Sequence, residues 1–124
     1  MEYFGNFWAY IAGMMDGDGS FSLIKKKEYN KPDYAPMYFP SIQLVNANEG
    51  LIDMFKGKFS GRKNVRLYPG NITKKPSYGW KIEKRKSCIP FLESVAPYLV
   101  IKKERAEFLL KFSINFQHQR GGLS

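Results

Sequence analysis

Two carboxylates separated by one residue, Asp16 and Asp18, are the groups in this sequence best placed to do chemistry. They follow an apolar stretch and lie among three glycines, Gly13, Gly17 and Gly19. Carboxylate oxygens are the ligands that hard divalent cations prefer in proteins. A calcium loop of the EF-hand type does not fit, because counting from Asp16 its turn glycine would fall at Phe21 and its bidentate glutamate at Lys27. The acidic pair therefore predicts metal chemistry of another kind.

Nucleophilic catalysis by a protein side chain is not indicated. No Ser, His and Asp triad and no Cys and His pair is apparent, and His118 is the only histidine. Cys88 is the only cysteine, so an internal disulfide is excluded and the fold does not depend on an oxidising compartment. We predict that Cys88 is a small buried hydrophobe and that His118 is solvated.

The charge balance points to a polyanionic partner. Twenty Lys and Arg residues against eleven Asp and Glu residues give a net charge of +9 over 124 residues. Nucleic acid is the leading candidate, although charge alone leaves open a basic protein with no such partner. A chain of this length fits one domain, which we expect to span residues 1–117, followed by a polar tail over 118–124.

The apolar segment before the acidic pair predicts a helix with an unusual surface. Asn6 can cap a helix over residues 7–15, and this helix has almost no polar face. One side can pack on a sheet, and the other side then needs a second protein surface or an ordinary central core position; periodicity leaves both open. Three small residues would let a partner helix approach closely: Ala9, Ala12 and Gly13.

This apolar segment is too short to span a membrane, and no basic region of a signal peptide precedes it. We therefore expect an intracellular protein with no membrane partner, working in the cytoplasm of a prokaryote or in an organelle that encodes it.

Alternating apolar and polar residues predict two strand pairs, over 20–27 with 37–45 and over 65–68 with 80–83. Asn46 and Glu49 have the form of a capping box for a second helix that ends at Gly61. Further helices are predicted from Ser87 to a bend at Pro97, and over 102–116.

The resulting order is helix, two strands, helix, two strands and two helices, which is an α+β fold. A four-stranded antiparallel sheet with helices on one side would leave its other face open and basic. Such a face suits a DNA groove, although solvated sheet faces are often polar and rich in lysine. The candidate contact residues on it are Ser22, Ile24, Lys26, Ser41, Gln43, Arg66, Tyr68 and Lys81.

Residues 11–21, Ile-Ala-Gly-Met-Met-Asp-Gly-Asp-Gly-Ser-Phe, resemble the signature of the LAGLIDADG homing endonucleases. The segment keeps the Ala-Gly pair, both aspartates and the final glycine of that signature, and Gly17 stands where alanine is commoner. The resemblance extends over nearly the whole chain, since it implies an αββαββα core with a concave DNA-reading sheet. Only one copy of the signature is present, which implies a homodimer that packs two signature helices together.

The resemblance also implies roles for individual residues. Asp18 matches the carboxylate that binds the catalytic metal, and Asp16 matches the second acid, which more often braces the turn. Asn46 stands where a polar residue, often glutamine, positions active-site water. Lys102 matches a basic residue near the cleaved phosphates, with Lys103 as the neighbouring alternative.

The function that the resemblance implies is site-specific cleavage of double-stranded DNA at a long, roughly palindromic target, with Mg²⁺ or Mn²⁺ as cofactor and an intron as the encoding element. Three alternatives remain open on sequence. The chain could bind intron RNA as a maturase, bind DNA without cleaving it, or form half of a two-repeat or split enzyme.

Overall fold

A four-stranded antiparallel sheet lies at the centre of the computed structural model, which describes residues 2–26, 37–67 and 75–123, with side chains for 5–25, 37–67 and 75–115. The strands are β1 Gly19–Lys26, β2 Met37–Asn46, β3 Arg62–Arg66 and β4 Ser77–Ile82. Their spatial order is β1-β2-β4-β3.

The helices precede, separate and follow the two strand pairs, which confirms the predicted order. They are α1 Glu2–Asp18, α2 Glu49–Phe59, α3 Arg85–Val95 and α4 Lys103–Leu123, with a short 3₁₀ turn at Ala96–Tyr98 between the last two. Among the described residues, no helix has both the length and the apolar character needed to cross a membrane.

The core lies between the helices and one face of the sheet. Trp80 is at its centre, with the rings of Phe55 and Phe91 at 5.1 and 5.5 Å. The indole N–H of Trp80 donates to the carbonyl of Ser60 at 2.7 Å, so the only polar atom of this ring has a partner. The other fully buried large side chains of the core are Phe21, Ile11, Met15, Ile42, Leu44, Ile52, Leu92, Leu109 and Val95.

Helix α1 is longer than its apolar pattern indicates. It begins at Glu2, so Asn6 is an exposed residue inside the helix and not its N-cap. It also continues past Met15 to Asp18. No proline interrupts residues 2–18, so nothing in the backbone stops the helix at the edge of the apolar segment.

Helix α2 is capped by Asn48, not by Asn46 as predicted. The side chain of Asn48 accepts the backbone N–H of Leu51 at 3.0 Å. The helix ends at Phe59, and its C-cap Ser60 has a φ of 63°, followed by a φ of 96° at Gly61, the position predicted to stop it. A side chain at Gly61 would also be strained by close approach, because a Cβ there would lie 2.5 Å from the carbonyl oxygen of Lys81.

The observed limits of the last two helices also differ from the predicted ones. Helix α3 starts at Arg85, so Ser87 lies inside it, and the N-cap residue Lys84 makes no side-chain capping bond. The helix ends at Val95, just before Pro97, as expected. Helix α4 starts at Lys103 and runs to Leu123, beyond the predicted end at Phe116.

Candidate active site and nucleic-acid interface

The acidic end of α1 points away from the core while the helix itself is anchored in it. Asp18 is the last residue of α1 and is exposed, whereas Met15 is fully buried three residues earlier. Gly19 begins β1 so close to the helix that a Cβ would lie 2.9 Å from the Cα of Met15. Glycine at this position therefore lets the chain turn directly from the acidic helix end into the sheet.

Asn46, at the end of β2, holds Asp18. Its Nδ2 donates to Oδ2 of Asp18 at 2.8 Å, and its Oδ1 accepts the backbone N–H of Asn48 at 2.8 Å. The sequence analysis placed Asn46 and Asp18 in one site, and the structure brings them together across 28 residues. Asn48 was not predicted to support the site; the repeated Asn at 46 and 48 was the available signal.

Asp16 joins the end of α1 to the segment before α4. Its carboxylate accepts three consecutive backbone N–H groups, from Val100 at 2.8 Å, Ile101 at 3.1 Å and Lys102 at 2.9 Å. Three of the roughly four acceptor positions of a carboxylate are thus taken by backbone donors of the protein itself. Asp16 is therefore a bracing residue, in agreement with the role implied for it.

The side chain of Lys102 also joins the segment before α4 to the end of α1. Its Nζ donates to the carbonyls of Met15 at 3.0 Å and Gly19 at 2.5 Å, on either side of the acidic turn. An ammonium group has three protons, so one remains for an anion. The positive charge also compensates the carboxyl end of α1, where the aligned peptide dipoles concentrate negative charge.

The residues present fit a magnesium site in which the protein supplies only part of the ligands. Among the described residues, no group of three or more His, Cys, Asp or Glu side chains could hold a metal. Mg²⁺ is usually bound through only one or two carboxylates, with waters and substrate phosphates as its other ligands. An exposed Asp18 at a helix carboxyl end matches that requirement, and a phosphodiester would have to complete the site.

The open face of the sheet carries a polar row that crosses all four strands. Ser20 pairs with Gln43, Gln43 with Lys81, and Lys81 with Arg62. Residues paired across strands share a face, so these four side chains lie opposite the core. Arg62 also forms an ion pair with Glu83. Ser20 and Arg62 were not among the predicted contact residues. Ser20 fits the alternation that selected Ser22, whereas Arg62 precedes the strand predicted over 65–68, because residues 62–64 are all polar and show no alternation.

The predicted contact residues differ in their availability. Ser22, Ile24 and Gln43 are partly exposed and Arg66 is exposed, whereas Ser41 is only 4% exposed and offers little surface to a ligand. Ser41 is thus better described as a buried member of the sheet. Lys26 lies in β1 but its side chain is not described, and Tyr68 lies outside the described residues.

The predicted partner-facing residues of α1 separate into two groups. Ala9 and Gly13 are exposed, and nothing lies within 4 Å of a Cβ added at Gly13. Ala12 is fully buried in the core of its own chain, so its prediction as an interface residue is wrong: the helix turns it towards the sheet. Large apolar side chains near this face were missed; they include Tyr10, Val100 and Ile101, with exposed fractions of 53, 83 and 76%.

An ionic cluster ties the edge strand β3 to α2. Lys63 Nζ donates to Glu49 at 2.6 Å and to Asp53 at 2.7 Å, and it lies 5.8 Å from the centre of the Tyr78 ring. Hydrogen bonds to Asp53 and Glu49 raise the pKa of Lys63, which therefore stays charged. The cluster fixes the strand that carries Arg62 and Arg66.

Solved structures resemble this architecture closely. The homing endonuclease I-CvuI with its target and calcium has a TM-score of 0.74 and 16% identity, over 97% of this chain and 73% of its own. The archaeal intron-encoded homing endonuclease I-Vdi141I complexed with DNA has a TM-score of 0.68 and 16% identity, over 92% of this chain and 70% of its own. The LAGLIDADG homing endonuclease I-SmaMI bound to cleaved DNA has a TM-score of 0.69 and 17% identity, over 91% of this chain and 37% of its own.

The chain has the LAGLIDADG homing endonuclease fold. No family model and no curated protein sequence matches it. The fold, together with the signature at residues 11–21, bears out the resemblance seen in the sequence. In this LAGLIDADG fold, the signature places Asp18 at the end of α1, beside Asn46, where the chain enters β1.

Proposed function

We propose that this chain is a homodimeric, divalent-metal-dependent endonuclease that cuts both strands of a long, roughly palindromic DNA target. The proposal includes Mg²⁺ or Mn²⁺ as cofactor and an intron as the encoding element. Structures with the same fold, solved with DNA targets in the presence of Mg or Ca, support it. The single observation that carries it is the exposed carboxylate of Asp18, held by Asn46 at the end of a helix whose next residue enters the basic sheet.

The retained acid distinguishes a nuclease from a pure binder. A carboxylate facing DNA phosphates repels them unless a cation lies between the two. A protein that only binds DNA would gain affinity by replacing Asp18 with a neutral residue. Its presence in a chain of net charge +9 therefore supports cation-dependent chemistry.

Each residue of the site has a separate task in this proposal. Asp18 binds the cation, and a bound Mg²⁺ supplies charge neutralisation, an activated water and stabilisation of the leaving 3′ oxygen. Lys102, fixed by the carbonyls of Met15 and Gly19, has one proton left to direct at a phosphate. Asp16 keeps Lys102 in place through its backbone.

A second copy of the chain is part of the proposal because one chain provides one metal-binding carboxylate, whereas two strands must be cut. The exposed side of α1 carries Ala9 and Gly13, where another helix can approach closely. Val100 and Ile101 expose further apolar surface beside the acidic end of the same helix. Burial of this surface in a twofold dimer would bring two Asp18 residues together.

Incubation of the protein with a random DNA library in Mg²⁺, followed by sequencing of the cut ends, tests the proposal. Enrichment of inverted-repeat sites supports it, provided that the Asp18→Asn variant produces no cut ends. Retention of specific DNA without cleavage in Mg²⁺ or Mn²⁺ would favour a non-cleaving DNA-binding protein. Preferential retention of structured intron RNA would favour a maturase.

A further inference from the structure

We infer that Asn46 is a positioning residue for Asp18: its amide fixes the carboxylate and leaves Oδ1 as the oxygen presented to the cation. This inference rests on the proposed nuclease function and assigns Asn46 a task other than holding water. It follows from a chain of three hydrogen bonds that joins the start of α2 to the acidic end of α1.

The first two bonds fix the peptide backbone around residue 48. The Asn48 side chain accepts the N–H of Leu51 at 3.0 Å, which caps α2. The backbone N–H of Asn48 in turn donates to Oδ1 of Asn46 at 2.8 Å, a local turn between residues two apart. The start of α2 thus holds one end of the Asn46 amide.

The third bond transmits this orientation to the acid. Because Oδ1 of Asn46 receives an N–H, its Nδ2 must face the other way, and it donates to Oδ2 of Asp18 at 2.8 Å. A flipped amide would set NH₂ against the N–H of Asn48 and oxygen against the carboxylate, replacing two attractive contacts by two repulsive ones. The amide therefore has one stable orientation, in which it is a donor to Asp18.

The consequence for cation binding follows from the geometry of the carboxylate. One oxygen of Asp18 is engaged by Asn46, so its carboxylate cannot rotate freely on the exposed helix end. Supporting hydrogen bonds that orient a metal ligand contribute roughly 10- to 100-fold to metal affinity in known sites. A residue that only held a water molecule would change the rate of cleavage without this effect on affinity.

A double-mutant cycle tests the inference, with Mn²⁺ as the probe. Mn²⁺ affinity is measured by the loss of the free-ion electron paramagnetic resonance signal, on protein bound to its selected DNA site, after subtraction of the DNA alone. The variants are Asn46→Leu, which has similar size but no amide, Asp18→Asn and the double variant. Asn115→Leu, the same change at an exposed residue of α4 outside the site, is the matched control.

Asn46→Leu should weaken Mn²⁺ binding at least tenfold in the presence of Asp18 and have no further effect in the Asp18→Asn background, whereas Asn115→Leu should stay within about twofold of the wild type. Equal losses in both backgrounds, or wild-type affinity for Asn46→Leu, would overturn the inference. If the wild type cuts DNA and Asn46→Leu keeps its Mn²⁺ affinity, the positioning role alone fails. If the wild type binds its site and does not cut, the nuclease proposal fails.

A measurement without metal or DNA makes the geometry testable even if Asn46→Leu does not fold. In the proton–nitrogen-15 correlation spectrum of the free wild-type protein, one side-chain amide proton of Asn46 should be shifted downfield by its hydrogen bond to the Asp18 carboxylate. Asp18→Ala should return that proton to the position of a solvated asparagine. An Asn46 amide signal unchanged by Asp18→Ala would refute the bond on which the inference rests.

Discussion

Asp16 and Lys102 each hold the backbone of the other's segment. The Asp16 carboxylate accepts the backbone N–H of Lys102 at 2.9 Å, and the Lys102 ammonium donates to the carbonyl of Met15, the residue before Asp16, at 3.0 Å. The two acids of the signature therefore have different tasks, because Asp16 accepts three backbone N–H groups whereas Asp18 is exposed.

Replacing Asp16 by alanine should destabilise the protein. Three backbone N–H groups lose a charged acceptor, and hydrogen bonds to charged groups contribute about 1.5–3 kcal/mol each, which water partly replaces at this half-exposed site. We expect a loss of roughly 2–4 kcal/mol in the free energy of unfolding. Urea denaturation at one fixed protein concentration measures it. Glu93→Ala, at an exposed carboxylate on α3, is the control and should change stability by less than about 0.5 kcal/mol.

Replacing Asp18 by asparagine should abolish cleavage while the fold and DNA binding persist. The substitution keeps the size of the side chain and removes the anionic ligand, and removal of a negative charge beside phosphates should leave affinity equal or higher. Gel-shift titration in Ca²⁺ and cleavage assays in Mg²⁺ measure the two properties. Cleavage at the wild-type rate would place the metal elsewhere, and loss of folding would make Asp18 a structural residue.

Substitution of Gly13 by leucine should separate the subunits without unfolding them. Nothing lies within 4 Å of a Cβ at Gly13, so the chain itself has room, and leucine favours a helix more than glycine. A partner helix at close range would be displaced. Light scattering should show a dimer for the wild type and a monomer for Gly13→Leu. Gly57→Leu, at an equally open exposed glycine of α2, should remain dimeric; a wild-type monomer with and without DNA would contradict the proposed dimer.

Binding to the selected site should depend steeply on salt. Across two subunits we expect on the order of ten phosphate contacts, each releasing counterions, so the logarithm of affinity should fall with the logarithm of salt concentration with a large slope. Lys81→Ala, in the polar row of the sheet, should reduce that slope if Lys81 contacts phosphate. Lys56→Ala on α2 should leave it unchanged. A wild-type slope near zero would remove the sheet as the DNA surface.

Cys88 should be unreactive in the folded protein and should lower stability at high pH. Burial raises the pKa of its thiol to about 12, with Glu83 as a smaller cause. Above a pH of about 9 the unfolded chain therefore loses the thiol proton while the folded chain keeps it, so stability falls as pH rises from about 9 towards 12. Thiol labelling at pH 8 should follow unfolding, and Cys88→Val should remove this part of the alkaline loss. Labelling faster than unfolding would show that the thiol is accessible.

The sequence was sufficient for the order of elements, because the patterns that define strands and helices are local. The alternation around Gln43 and Lys81 predicted their shared face, which the register confirms. Pro97 and Gly61 marked the ends of helices through their own backbone restrictions.

The sequence-based predictions fail where contacts between residues distant in the chain override local sequence patterns. Asn46 and Asn48 are both good caps, and the choice depends on Asp18, 28 residues away, which binds the first of them. Ala12 and Gly13 are both small, and only the packing of α1 on the sheet decides that Ala12 enters the core. Likewise, alternation places Ser41 on the open face but carries no information on what covers it.

The bonds from Asp16 to residues 100–102 connect segments 84 to 86 residues apart in the chain. During synthesis, a nascent polypeptide can form both strand pairs and α2 before these residues leave the ribosome. The end of α1 can be fixed only afterwards, because the hydrogen bonds from residues 100–102 to Asp16 have not yet formed. A truncated translation product that lacks residues 100–102 would thus carry Asp18 on a helix end that these three N–H groups do not hold.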